Sequence, residues 1–320
     1  MMRGMTGGLV GLMMLGAALG AAASDIAVVP NQGDGTLSLV DPLTAKVLRT
    51  VPAQGRLGEK IQAVAAPPGG KRAFVVDANA NVLLEVDLAD GAVKQRIEVG
   101  HSPEGASISP SGGLIAVCVE EDNAVVLVDA KGKKPLRRIA TQGSNPEHCE
   151  FSPDARLLMT SNENSDDVDV IDVAAGRSIA RIRTAGHPRG IAWLPDNRFA
   201  YVAQETAGGV DIIDVQSRSV VGNVKTGLRP SGAITSRDGK RVFVSNGGAG
   251  SVSVIDTATR AVVATLNVGK RPWNMALTHD GRRLLVANGR SNSLSIIDTG
   301  ALAVAGEVAV GQLPWGVSVP

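Results

Sequence analysis

The sequence predicts an all-β protein, a seven-bladed β-propeller closed by pairing of its N- and C-terminal strands, and three observations predict it. An aspartate ends an aliphatic run at Asp41, Asp87, Asp129, Asp172, Asp214, Asp256 and Asp298, at intervals of 46, 42, 43, 42, 42 and 42 residues. Between these marks fall turn sequences, at Pro68-Gly69-Gly70, Pro110-Ser111-Gly112, Pro153-Asp154-Ala155, Pro195-Asp196-Asn197, Arg237-Asp238-Gly239 and His279-Asp280-Gly281. The two ends of the chain also read as complementary fragments of one repeat. Composition agrees: 38 glycines, 16 prolines and 2% aromatic residues among 320 suit short aliphatic strands joined by tight turns.

The elements follow in chain order. Residues 1–23 read as a secretory leader: a basic start at Arg3, an apolar run over 5–19 that is too short to span a bilayer, and a small-residue exit ending at Ala23. Export to a bacterial periplasm is expected, with cleavage near Ala23 and a propeller over 24–320. The propeller begins with material resembling the second, third and fourth strands of a unit, over 26–29, 36–40 and 47–51. A complete unit is clearest at 231–268, where four short strands alternate with turns, the signature of a blade. The chain ends with a lone first strand over 314–319, which would complete the opening blade and remove both open sheet edges. No second apolar segment of spanning length follows the leader, and a monomer is expected.

Charge narrows the function. Lys and Arg number 32 against 31 Asp and Glu, and the leader carries only Arg3, so the exported chain is formally neutral. A general nucleic-acid binder needs a basic field, so that class is not expected, although a local patch is compatible with neutrality.

The segments Phe243-Val244-Ser245-Asn246 and Ser251 through Thr257, followed by Val268-Gly269-Lys270-Arg271-Pro272, resemble the YVTN-repeat β-propeller family. Asp77, Val119 and Gln204 depart from that pattern by standing at the Asn position, and Lys133-Lys134 interrupts a fourth strand. More narrowly, Arg271-Pro272-Trp273, the segment 284–288, Ser291-Asn292 and Leu313-Pro314-Trp315-Gly316-Val317 resemble the periplasmic propeller associated with pyrroloquinoline quinone (PQQ)-dependent alcohol catabolism. That resemblance implies a partner role beside a quinoprotein dehydrogenase or an exporter component, not catalysis. A Trp-Asp ending to the third strand is missing, which argues against a WD40 propeller. Three tryptophans are too few for the blade pattern of the quinoprotein enzymes, and a haem-attachment motif is absent.

The site is expected where the loops leading into the innermost strands gather around the channel mouth. In these loops a proline fixes φ, and the next residue should face the mouth: Glu104, Glu147, Arg189, Ser231, Trp273 and Trp315, with Gln62 as the seventh. Charge is segregated on this face, with Glu104, Glu120, Glu121, Glu147 and Glu163 early and Arg189, Arg229, Lys270, Arg271 and Arg290 late. Ligand or partner contact is therefore assigned to Glu104, Glu147, Arg189, Arg229, Arg271, Trp273 and Trp315. His101, His148 and His187 fall in consecutive loops and form a candidate metal set with a carboxylate such as Glu147, though their offsets from the prolines differ. No cofactor and no catalytic residue is expected. Two other readings stand beside the binding role: a propeller holding a transition metal or tetrapyrrole, and an envelope protein that binds single-stranded nucleic acid. The cysteines Cys118 and Cys149 permit either a disulfide or two buried thiols.

Overall fold

The structure is a computed structural model that describes residues 1, 25–131 and 134–320. Apart from Met1, the expected leader lies outside these residues, as does Lys133. Seven antiparallel sheets form the ring: six with four strands each, taken in chain order from the channel outwards, and a first sheet whose three chain-start strands are Ala27–Asn31, Thr36–Asp41 and Lys46–Val51. The C-terminal segment supplies the missing inner strand. Val28 and Ser318 exchange backbone hydrogen bonds of 2.8 and 3.0 Å, and the amide of Trp315 donates to the carbonyl of Pro30 at 3.0 Å. On the far face, His279 latches the same joint through its amide and ring, both on Asp25 (2.8 and 2.6 Å). Closure thus follows the predicted complementarity of the chain ends.

The core lies between blades. Seven hydrophobic clusters each join the facing sides of neighbouring sheets, so the middle strands are buried on both faces and read as unbroken aliphatic runs. Arg241–Asn246 and Ser251–Asp256 are buried almost throughout, while the outer strand Ala261–Asn267 is largely exposed. At the end of a second strand, the buried amide of Asn246 donates to the hydroxyls of Ser251 (3.0 Å) and Ser253 (2.9 Å) and accepts from the amide of Gly227 (3.0 Å). Asn31, Asn162 and Asn288 repeat that bridging geometry. Where Gln204 replaces Asn, its carbonyl still accepts from the Gly186 amide at 3.0 Å.

The repeat-marking aspartates are turn caps. Asp256 Oδ1 accepts from the amides of Thr259 (2.8 Å) and Ala258 (3.1 Å), and these bonds hold its carboxyl below the usual range. Around the channel, glycines set the spacing of the inner strands: a Cβ on Gly190 would lie 2.6 Å from the amide of Ala233 on the next blade.

Candidate functional site

Of the residues following the prolines, Glu104, Glu147 and Arg189 come together, and Arg189 is the hub of a wider charge cluster. It leads the inner strand Pro188–Trp193 and is nearly buried, with 12% of its side chain exposed. Its Nη1 donates to Glu163 Oε1 (2.9 Å) and Glu205 Oε2 (3.0 Å), and its Nη2 donates to Glu147. Glu205 Oε1 also accepts from Arg229 (2.7 Å) and Arg271 (3.2 Å). Burial works against the charge on Glu205, but Arg189, Arg229 and Arg271 outweigh it and keep the carboxyl below its ordinary pKa. For Glu147 the balance reverses: burial pushes the carboxyl up, and the Arg189 cation offsets only part of that. Glu120, beside Glu104, is pushed up to about 8 by burial and by that neighbouring carboxylate.

The structure brings Glu104, Glu147, Arg189, Arg229 and Arg271 into one charge cluster and adds Glu205, which the sequence reading did not name. The signal was present: Glu120, Glu163 and Glu205 occupy one repeat position at intervals of 43 and 42 residues. Four further positions need correction or sharpening. Trp315 is not an exposed anchor; it is 7% exposed and stacks on the His148 ring, with centroids 5.8 Å apart. Trp273 is half-buried against the same cluster, with its ring over Gly289. Ser231 and Gln62 are buried.

The three histidines do not meet. His101 is exposed and pairs with Asp122 at 3.0 Å; His148 stands inside the channel, where burial and Arg189 lower its pKa to about 3; His187 Nε2 lies 2.5 Å from Glu163. The reason is their offsets. His101 precedes its proline by two residues and His187 by one, whereas His148 follows its proline by two. Among the described residues, the donors that do come within 4.8 Å of one another are Glu163, His187 and Glu205. Arg189 Nη1 already bonds the same Glu163 and Glu205 oxygens, so a guanidinium occupies the place a metal ion would take.

Below the His148–Trp315 stack, a cavity of about 420 Å³ runs toward the turns at Pro110 and Pro153. Glu150 lines it, with its pKa raised to about 8 by burial. A second cavity of about 340 Å³ lies on the rim of the mouth, among Arg229, Lys270, Arg271, Arg290 and the turn Gly247-Gly248-Ala249-Gly250. Cys118 and Cys149 are buried free thiols, and burial raises the pKa of Cys118 well above the ordinary value.

Comparison with known proteins places this geometry among propellers. The YNCE-like beta-propeller family matches residues 19–279. No curated protein matches the sequence. Hydrazine synthase of Kuenenia stuttgartiensis is similar in structure, with a TM-score of 0.72 and 22% identity over 80% of this chain and 88% of that one. A functionally unknown protein from Desulfotomaculum acetoxidans DSM 771 gives a TM-score of 0.79 and 18% identity over 92% and 99% of the two chains. At these identities the likeness concerns the fold.

Proposed function

We propose that this chain, which belongs to the YNCE-like β-propeller family, is a non-catalytic binding component of the periplasm that serves a PQQ-dependent oxidation pathway. Its channel-mouth face would receive a protein partner such as a quinoprotein dehydrogenase, or a small ligand. The observation that carries this reading is the divided charge of the mouth. Glu104 stands on one side with no ion pair among the described residues, beside a Glu120 that burial and the Glu104 charge keep largely protonated at pH 7, and Lys270 and Arg290 stand on the other without an acidic partner. A neutral protein that leaves both signs uncompensated on one face presents a dipolar surface, which steers and orients a complementary partner. The resemblance of 271–273, 284–288 and 313–317 to the PQQ-associated propeller supports the choice of pathway.

The test is genetic and biochemical. Deleting the gene should lower PQQ-dependent alcohol oxidation by intact cells. The wild-type chain should restore it, and a chain carrying E104Q, E120Q, K270Q and R290Q should not. Unchanged oxidation in the deletion strain would remove the pathway assignment. Full rescue by the quadruple variant would remove the mouth.

A further inference from the structure

The rim cavity has a chemistry of its own. Four cationic side chains, Arg229, Lys270, Arg271 and Arg290, line a space of about 340 Å³ in a protein whose formal charge is close to zero. Opposing them is one carboxylate, Glu205, which touches Arg229 and Arg271 and is shared with Arg189. Lys270 and Arg290 have no acidic partner among the described residues, and both are exposed.

The turn beside these cations keeps the space open. A Cβ on Gly247 would lie 3.2 Å from Nη1 of Arg271, and one on Gly248 would lie 3.2 Å from Cγ of Arg229. Glycines here let the cationic side chains lie close against the backbone. The turn amides are not themselves free: Gly247 and Gly248 donate to the carbonyls of Arg229 and Leu228 at 2.8 and 2.9 Å. Recognition therefore rests on the side chains. Three guanidinium forks, two of them shared with Glu205, and a lysine ammonium around one small space suit an oxyanion with more than one negative charge, because the forks bond paired oxygens and the ammonium adds a point charge.

We propose that this cavity binds a small, multiply charged oxyanion, a di- or tricarboxylate or a phosphate, on Arg229, Lys270, Arg271 and Arg290. This rests on reading the mouth as a binding face and names the ligand chemistry of its basic side. An extended polyanion such as single-stranded nucleic acid suits the site less well, because the path across the mouth leaves the four cations and runs into Glu104 and the carboxylates gathered on Arg189.

Titration calorimetry at low ionic strength and pH 7 tests this with citrate, succinate and inorganic phosphate in separate arms, with acetate as the singly charged control and a short oligothymidylate as the polymer control. Saturable 1:1 binding of at least one of the three multivalent probes is expected, at least tenfold tighter than acetate, and the arm that binds tightest identifies the source. K270Q/R290Q should weaken it at least tenfold. The matched double variant K71Q/R96Q, which removes two exposed cations from the second blade, should change it less than twofold. No saturable binding by any of the three probes, equal losses in the two double variants, or tighter binding of the oligonucleotide would overturn the proposal. Rescue of the deletion strain by K270Q/R290Q alone, with anion binding lost, would separate this site from the pathway role.

Discussion

Arg189→Gln is the most informative single change. The substitution removes the cation shared by Glu147, Glu163 and Glu205 and leaves a shorter, uncharged side chain that does not reach the three carboxylates. Three charge-assisted hydrogen bonds are lost, each worth about 1.5–3 kcal/mol, and at 12% exposure solvent screening takes little from them. Part of the loss is recovered. Glu205 retains Arg229 and Arg271, Glu163 retains His187, and Glu147, 2% exposed, can take up a proton. The net cost is about 3–5 kcal/mol, the range for breaking a buried ion pair from one side. The pH dependence has a definite sign. Burial already raises the folded pKa of Glu147, and without Arg189 it rises further above the unfolded value of about 4.3. A carboxyl raised in the folded state costs stability as it is forced to ionise, so the variant should weaken steeply as pH climbs from 5 to 8, more steeply than wild type. Urea unfolding at pH 5, 6.5 and 8 measures both effects through the midpoint and slope, and adding Glu147→Gln should restore part of the loss. A variant within about 1 kcal/mol of wild type at all three pH values, with no added slope, would refute the hub.

Other expectations follow from the same geometry. Asn246→Leu strands the Gly227 amide and both serine hydroxyls and should cost about 2–3 kcal/mol in urea unfolding, whereas an exposed change such as Thr259→Ser should stay within about 0.5 kcal/mol. Removing 314–320 strips the inner strand from the first blade; soluble yield and the melting temperature should fall sharply, and a monomer with unchanged melting would contradict closure by the chain ends. Glu120, with its pKa near 8, contributes stability at low pH that is lost as pH rises toward 8. Glu120→Gln should therefore flatten stability between about pH 5 and 8, the interval between its unfolded and folded pKa, and an unchanged pH profile would count against that shift.

Much of the architecture was legible because the repeat is written in turn chemistry. Asp256 and its equivalents accept amide hydrogen bonds from the turn that follows them, so they recur wherever a third strand ends, regardless of what the blade packs against. Proline before the inner strand was equally readable and placed Glu147 and Arg189 at the mouth. What escaped depends on the reach of long side chains. The repeat position marks the loop of Glu205, but its place in the cluster comes from the Arg189 and Arg229 side chains that extend to it, residues 16 and 24 positions away. Trp315 looked like an anchor in the sequence and is a plug in the structure, since the closing strand aims its ring at His148 on the fourth blade. The histidines share a loop type but not an offset from proline, and one or two residues along a strand decide whether a ring faces solvent, channel or rim.

The central claim, that the channel-mouth face is where this propeller binds, is tested most directly by mapping amide hydrogen exchange with and without a purified PQQ-dependent alcohol dehydrogenase. Protection is expected at 102–105, 144–148, 186–190, 228–231, 247–250, 270–273 and 289–292, the loops that carry Glu104, Glu147, Arg189, Arg229, Arg271 and their neighbours. Protection confined to the opposite turns at 110–113, 153–156, 195–198, 237–240 and 279–282, or none at concentrations where the two proteins co-elute, would contradict it.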